Sequence, residues 1–111
     1  ERIVIAGFSQ GGAVGYQAAL SFDKPLAGLL AMSTYFATKD SIEINAANSN
    51  MTIGVMHGSQ DPVVSPMLGE QAISALQAKG FTPTYQVYPM QHAVCQEQVA
   101  DISAWLQQQL A

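Results

Sequence analysis

Charged side chains are scarce in this chain of 111 residues. They make up 11% of it, whereas a typical soluble domain carries about 25%. The four Lys and Arg residues are scattered, the eight Asp and Glu residues outnumber them, and the formal net charge is −4. Because nucleic-acid binding depends on clustered basic side chains that neutralise phosphates, we expect no nucleic-acid partner.

The sequence also has little cysteine and no long apolar run. Cys95 is the only cysteine, so an internal disulfide is impossible, and the sequence has no CxxC metal motif. No apolar run approaches the ~18 residues of a membrane-spanning helix, so no transmembrane segment is expected. The length suits one domain. The chain opens at Glu1 and enters a strand pattern at once, which leads us to expect further protein upstream.

Apolar runs and helical patterns alternate along the sequence. Two apolar runs predict buried strands at residues 2–6 and 26–33, and two further strands are predicted at residues 52–57 and 84–88. Residues 34–50 are polar and irregular and predict a long loop with room for a short helix. This alternation is typical of an α/β fold in which four parallel strands, joined by right-handed crossovers, lie between helices in a three-layer αβα arrangement.

The helices are predicted at residues 10–20, 66–79 and 95–110. Ser65 offers an N-cap for the second helix, Pro66 suits its first position, and Gly80 supplies the C-terminal stop. The third helix is predicted from an apolar stripe formed by Cys95, Val99, Ile102, Leu106 and Leu110.

The pentapeptide Gly-Phe-Ser-Gln-Gly at residues 7–11 matches the G-x-S-x-G pattern and lies between a predicted strand and a predicted helix. This is the context of a nucleophile elbow, a sharp turn that exposes the serine hydroxyl. Ser9 is therefore the candidate nucleophile. The backbone N–H of Gln10 is the candidate donor to an oxyanion, because it lies at the positive end of the helix dipole.

A serine nucleophile needs a general base, and the base needs an acid that orients it. Hydrolases with this elbow carry the three residues in the order Ser, acid, His. His92 follows the fourth predicted strand and Asp61 the third, and the carboxyl ends of parallel strands lie at one edge of a sheet. Asp61 is therefore the candidate acid and His92 the candidate base. Asp40 and Glu43, in the irregular loop, are the alternative acids.

The second histidine fits this order badly. His57 precedes every acid that ends a strand, so we predict that it is structural and holds the acid loop by a hydrogen bond. Cys95 lies three residues from His92, but a metal site made of these two with His57 and Asp61 is disfavoured, because no pair among them has the spacing of zinc ligands. We expect neither a metal nor a cofactor.

Three segments together resemble one known family. They are Gly-Phe-Ser-Gln-Gly-Gly-Ala at residues 7–13, His-Gly-Ser-Gln-Asp-Pro-Val-Val at 57–64 and Tyr-Pro-Met-Gln-His-Ala-Val-Cys at 88–95. In this order they are similar to the phospholipase/carboxylesterase family, also called acyl-protein thioesterase-like. The resemblance implies the C-terminal part of an α/β-hydrolase fold and a cytoplasmic serine carboxylesterase that cleaves carboxylic esters or thioesters through an acyl-serine intermediate.

The resemblance also assigns residues. It implies Ser9, Asp61 and His92 as the catalytic triad and Gln10 as an oxyanion donor, and it suggests that Tyr35 and Val63 line an acyl channel. The substrate would be a small ester or thioester, an acylated protein or a lysophospholipid.

The sequence departs from the family at two points. The family usually has Gly before the base histidine, where this chain has Gln91, a change expected to narrow the site mouth or shift the base. Family members are also about twice this length, with an upstream loop that supplies a second oxyanion donor. We therefore expect residues 1–111 to be one partial catalytic domain without its N-terminal half. Its first strand would be an exposed edge that can pair with a second copy to form a homodimer.

Two other functions fit parts of the same pattern. One is a serine peptidase of the prolyl-oligopeptidase type, whose catalytic domain ends in a similar Ser–Asp–His order. The other is a non-catalytic binding protein that retains the α/β-hydrolase fold. The residues that follow the elbow serine and the Val-Val-Ser-Pro segment at 63–66 favour the esterase.

Overall fold

The computed structural model describes residues 2–111. These residues form four strands, three α-helices and one short 3-10 helix. In chain order the elements are β1 (Val4–Phe8), α1 (Gln10–Ser21), β2 (Gly28–Met32), the 3-10 helix (Ala46–Asn48), β3 (Thr52–Gly58), α2 (Pro66–Ala78), β4 (Thr84–Tyr88) and α3 (Gln96–Leu110). Each strand and helix predicted from the sequence is present, and the 3-10 helix falls within the predicted long loop.

The four strands form one parallel sheet in the order β1-β2-β3-β4. Its register pairs Ala6 with Leu30, Leu30 with Gly54, and Gly54 with Thr84. Because all four strands are parallel, their carboxyl ends lie at one edge of the sheet. Within residues 2–111, β1 is an edge strand of this sheet. The prediction that it is buried is wrong for the described residues, because none of its residues is buried at this edge.

Side chains of successive strand residues point to opposite faces, and each face carries its own core. The core between the sheet and helices α1 and α2 includes Tyr16, Leu29, Ile53 and Leu76. The core between the sheet and α3 includes Leu30, Met56 and Trp105. Helices therefore cover both faces, which confirms the predicted three-layer αβα arrangement.

Helix α2 begins and ends as its sequence predicts. The Ser65 hydroxyl accepts a hydrogen bond from the N–H of Met67 at 3.3 Å. At the other end, Gly80 has φ 93°, a left-handed conformation that glycine adopts readily. The N–H of Phe81 then donates to the carbonyl of Leu76 at 3.0 Å. This bond is part of a Schellman motif, which stops the helix and starts the turn into β4.

The apolar stripe predicted for α3 is correct only in part. Ile102 packs into the core around Trp105, but Val99 is 55% exposed. Gln98 is buried instead, with its amide nitrogen 3.7 Å from the sulfur of Met56. Successive residues of a helix are rotated by about 100° around its axis. The face of α3 that meets the sheet therefore carries Gln98, Ile102 and Trp105, and Val99 lies next to that face.

None of the helices within residues 2–111 combines the length and apolar character that a membrane crossing requires.

Candidate active site

Ser9 occupies the sharp turn between β1 and α1. Its backbone has φ 58° and ψ −122°, a combination that a residue with a side chain rarely adopts and that surrounding contacts must hold. The turn is tight enough that a Cβ atom on Gly7 would lie 2.3 Å from the carbonyl oxygen of Gly11. The Ser9 N–H donates to the carbonyl of Met32 at 3.0 Å. The elbow is therefore anchored to the end of the neighbouring strand β2.

Thr34 also contacts this elbow, and the sequence analysis did not identify this residue. The Thr34 hydroxyl donates a hydrogen bond to the carbonyl oxygen of Ser9. Its side chain fills the space where a Cβ atom on Gly12 would lie, 2.4 Å from Cγ2 of Thr34. The signal in the sequence was a hydroxyl residue two positions beyond the end of the second strand, at the same edge of the sheet as Ser9.

Asp61 lies in the acid loop, residues 59–65, which follows β3. The carboxylate is buried, and its Oδ1 accepts hydrogen bonds from the N–H groups of Val63 and Val64, each at 2.8 Å. Burial by itself would raise the pKa of Asp61. The hydrogen bonds from His92 and from the two backbone N–H groups outweigh burial and hold that pKa below its ordinary value. The group is therefore a carboxylate at neutral pH.

His92 lies in the base loop, residues 89–95, which follows β4. The two loops are joined through their backbones, because the N–H of Gln60 donates to the carbonyl of Met90 at 3.0 Å. They approach so closely at Gly58 that a Cβ atom there would lie 2.4 Å from the carbonyl oxygens of Met90 and Gln91. Gln91, the residue that departs from the family pattern, has an exposed side chain and leaves His92 within reach of its partners.

The three candidate residues form one hydrogen-bonded chain. His92 Nδ1 lies 2.7 Å from Asp61 Oδ2, and His92 Nε2 lies 3.0 Å from Ser9 Oγ. Because an ionised carboxylate can only accept, the proton of the imidazole belongs on Nδ1, which leaves Nε2 free to accept from the serine hydroxyl. The ring of Phe8 contacts the imidazole with 4.8 Å between ring centres. This geometry can transfer a proton from Ser9 to His92.

The N–H of Gln10 is available at the first turn of α1. No backbone carbonyl within the described residues accepts a hydrogen bond from it, and the residue is exposed. It lies directly after Ser9, so it can approach an oxyanion formed on the serine.

His57 has the structural role predicted for it. The ring is fully buried, and its Nε2 lies 2.8 Å from the carbonyl oxygen of Val64, to which it donates. Val64 is also one of the two residues whose N–H groups bind Asp61. His57 therefore holds the acid loop by the predicted hydrogen bond.

The alternative acids lie away from the triad. Asp40 pairs with Lys39 at the surface, 3.2 Å apart. Glu43 borders a separate surface cavity together with Gln17 and Ser21. Within residues 2–111, no three His, Cys, Asp or Glu side chains are grouped so that they could hold a metal ion.

The family resemblance suggests that Tyr35 and Val63 line an acyl channel. Tyr35 is half-buried and Val63 is 68% exposed. Val63 adjoins the acid loop carboxylate and Tyr35 follows Thr34, so both belong to segments at the site. Their role toward a substrate stays a prediction.

Comparisons with known proteins agree with the motifs. A family model described as Phospholipase/Carboxylesterase matches residues 1–110. An acyl-protein thioesterase 1 of Gibberella zeae is 32% identical over 115 residues, which cover 99% of this chain and 49% of that protein. An acyl-protein thioesterase 1 of Neurospora crassa is 35% identical, with coverage of 99% and 47%.

Solved structures share the fold. Arabidopsis thaliana SOBER1 superposes with a TM-score of 0.88 at 24% identity, covering 97% of this chain and 53% of that one. Zea mays acyl-protein thioesterase 2 gives 0.83 at 24% identity, with coverage of 96% and 55%. These likenesses confirm the predicted α/β-hydrolase fold.

The chain spans about half the length of the curated relatives it matches. These shares measure the extent of the match, so the C-terminal position of residues 1–111 within a longer catalytic domain stays a prediction. Because the family model matches residues 1–110, the chain belongs to the phospholipase/carboxylesterase family.

Proposed function

We propose that this chain carries the catalytic machinery of a serine carboxylesterase that hydrolyses carboxylic esters or thioesters. The observation that carries the proposal is the distance of 3.0 Å between Ser9 Oγ and His92 Nε2. The bond from His92 to Asp61 supports it, because an oriented imidazole is what activates a serine hydroxyl. Membership of the phospholipase/carboxylesterase family supports an ester as the bond that is cleaved.

In the proposed reaction, Ser9 Oγ attacks the carbonyl carbon of the substrate while His92 Nε2 takes the hydroxyl proton. Asp61 stabilises the imidazolium that forms, and the N–H of Gln10 donates to the oxyanion of the tetrahedral intermediate. As that intermediate collapses, His92 returns the proton to the leaving alcohol or thiol. A water molecule, deprotonated by His92, then attacks the acyl-serine. When the second tetrahedral intermediate collapses, the bond from the acyl carbon to Ser9 Oγ breaks and His92 returns the proton to Ser9 Oγ, which gives the carboxylic acid and free Ser9.

The substrate proposal is broader than the mechanism. Similarity to acyl-protein thioesterases favours an acyl thioester on a protein, and membership of the phospholipase/carboxylesterase family adds phospholipid esters. We propose a small ester or thioester, an acylated protein or a lysophospholipid, with Tyr35 and Val63 in contact with the acyl group. A cytoplasmic location belongs to the same proposal and rests on the family resemblance.

The first test uses a fluorophosphonate probe, which reacts only with an activated serine, and reads the mass of the intact chain. We expect one adduct at Ser9, and none in the Ser9→Ala variant. Ser74→Ala is the matched control, because Ser74 is exposed on α2 away from the triad; it should label like the wild type. A folded wild-type chain that takes up no probe would contradict the proposal.

A second test distinguishes the reaction classes. Nitrophenyl esters, acyl thioesters and a proline-containing amide are offered to the same preparation. Hydrolysis of the esters and thioesters is expected. Preferential cleavage of the amide would favour the peptidase instead.

The proposal also includes pairing between two copies. Strand β1 is an edge strand within the described residues, and Ile3 and Val14 beside it are largely exposed. Exposed edges of this kind tend to pair with another strand. For residues 1–111 by themselves, light scattering is expected to give the mass of a dimer, and a well-folded monomer would exclude the pairing.

A further inference from the structure

We infer that Thr34 is a positioning residue for the nucleophile: its hydroxyl holds the carbonyl of Ser9 and thereby keeps Ser9 Oγ within reach of His92. The inference rests on the proposed function of the same site. The distance from Ser9 Oγ to His92 Nε2 can also be measured in a crystal structure, without substrate turnover.

The backbone of Ser9 needs support from outside its own turn. With φ 58° and ψ −122°, the residue lies in a strained region that persists only where neighbouring structure holds it. The carbonyl of Ser9 accepts hydrogen bonds from the N–H groups of Gly12, at 3.0 Å, and Ala13, at 3.3 Å. Both donors belong to the helix that begins at the next residue, so they cannot orient that helix and the serine relative to the rest of the site.

Thr34 supplies a contact from the loop that follows β2, in addition to the bond from the Ser9 N–H to the carbonyl of Met32. Its hydroxyl donates to the Ser9 carbonyl across 25 positions of sequence, and the side chain is 3% exposed. Strand β2 has ended at Met32, and Ser33 turns the chain with φ 49° while its N–H donates to Met56 at 2.8 Å. This turn directs Thr34 toward the elbow.

The second glycine after Gln10 makes room for that side chain. A Cβ atom on Gly12 would lie 2.4 Å from Cγ2 and 2.7 Å from Oγ1 of Thr34. Thr34 therefore has two separate contacts with the elbow, a hydrogen bond to Ser9 and packing of its methyl group against Gly12.

Two substitutions separate these contacts. Thr34→Val keeps the shape of the side chain and the packing but removes the hydroxyl. Thr34→Ser keeps the hydroxyl and removes the methyl group. Positioning through the hydrogen bond predicts that the Val variant is impaired and the Ser variant is not, whereas a role in packing alone predicts the reverse.

The kinetic test measures fluorophosphonate labelling of Ser9 over a range of probe concentrations. Thr34→Val should lower the limiting rate about tenfold, because a slightly misplaced nucleophile reacts slowly, while the concentration for half-maximal rate stays unchanged. Thr34→Ser should stay within about twofold of the wild type, since it retains the bond. Thr38→Val is the matched control: the Thr38 hydroxyl is buried without a partner within the described residues, so its loss should leave the rate unchanged.

A structural test accompanies the kinetic one. Crystal structures of both variants should show the distance from Ser9 Oγ to His92 Nε2 near its present 3.0 Å in Thr34→Ser. In Thr34→Val it should exceed the hydrogen-bond limit of about 3.2 Å. A Val variant with wild-type distance and wild-type labelling would overturn the inference. If the wild type itself fails to label, the proposed function is wrong, and the distances alone still decide the role of Thr34.

Discussion

The imidazole of His92 is bonded to the carboxylate of Asp61 at 2.7 Å, across 31 positions of sequence. The opposite carboxylate oxygen is held by the N–H groups of Val63 and Val64. The carboxylate therefore has one orientation, and that orientation selects the imidazole tautomer with its proton on Nδ1.

Replacing Asp61 by Asn should abolish this selection. We expect Asp61→Asn to slow labelling of Ser9 by about 10⁴, the loss seen when the equivalent exchange leaves a Ser-His-Asp triad with the wrong tautomer. Asp40→Asn is the control, because Asp40 is exposed and pairs only with Lys39; its labelling rate should not change. An Asp61→Asn variant that labels at the wild-type rate would remove Asp61 from the triad.

Stability in acid should depend on the same carboxylate. Since its folded-state pKa is lowered below an unfolded value of about 3.9, Asp61 stabilises the folded chain above that value. This stabilisation is lost as the pH falls through the folded-state pKa. In urea titrations at pH 7 and pH 5, the wild type should have a higher unfolding free energy than Asp61→Asn. This difference in unfolding free energy should become smaller below about pH 4.

The matched variant for this comparison is again Asp40→Asn. An exposed ion pair contributes little to stability, so no comparable gap is expected at any pH. A gap for Asp61→Asn that keeps its full size down to about pH 3 would show that the ionised carboxylate is not its source.

Gly58 should tolerate no side chain. A Cβ atom there would lie 2.4 Å from two backbone oxygens of the base loop, so Gly58→Ala must displace that loop and His92 with it. We expect a loss of about 1–3 kcal/mol in unfolding free energy and labelling slowed by about 10².

Gly15→Ala provides the comparison for Gly58→Ala. Its Cβ atom would meet Ile5 and Leu29 at 3.5 Å, an ordinary van der Waals contact. Because Ala favours a helix over Gly, this variant should be as stable as the wild type or more stable, by up to about 1 kcal/mol. Equal behaviour of the two alanine variants would contradict the close approach at Gly58.

Replacing His57 should lower the unfolding free energy and, as a consequence, slow the labelling of Ser9. His57→Phe keeps a ring in the core but leaves the carbonyl of Val64 without its donor, a loss of about 1–3 kcal/mol. His57→Gln retains an N–H donor and should recover part of it. Labelling should follow the same order, because the acid loop carries Asp61.

Tyr85→Phe is the matched control for His57→Phe. The Tyr85 hydroxyl is buried near His57 and has no partner within residues 2–111, so its removal should leave unfolding free energy and labelling close to wild type. A His57→Phe variant with wild-type stability would show that the bond to Val64 contributes nothing.

Much of the fold was predictable because it depends on local patterns. The strands Thr52–Gly58 and Thr84–Tyr88 lie where the sequence predicts strands, at residues 52–57 and 84–88, and α2 begins and ends at residues with the right capping chemistry. Val99 shows the limit of this reasoning. Its spacing suits an apolar stripe, but the line of α3 that meets the sheet passes through Gln98 and Trp105, and only packing against the sheet decides that line.

In the candidate site, too, some features are predictable from the sequence and others depend on the tertiary structure. The sequence by itself determined the elbow at Ser9 and the order of the candidate acid and candidate base, because turn chemistry and chain order are local and linear properties. Only the tertiary structure decided that Thr34 reaches Ser9 and that His57 binds Val64. Those contacts join residues that are distant along the chain or buried on different elements, and their geometry arises only when the strands pair in register and the loops close over one edge of the sheet.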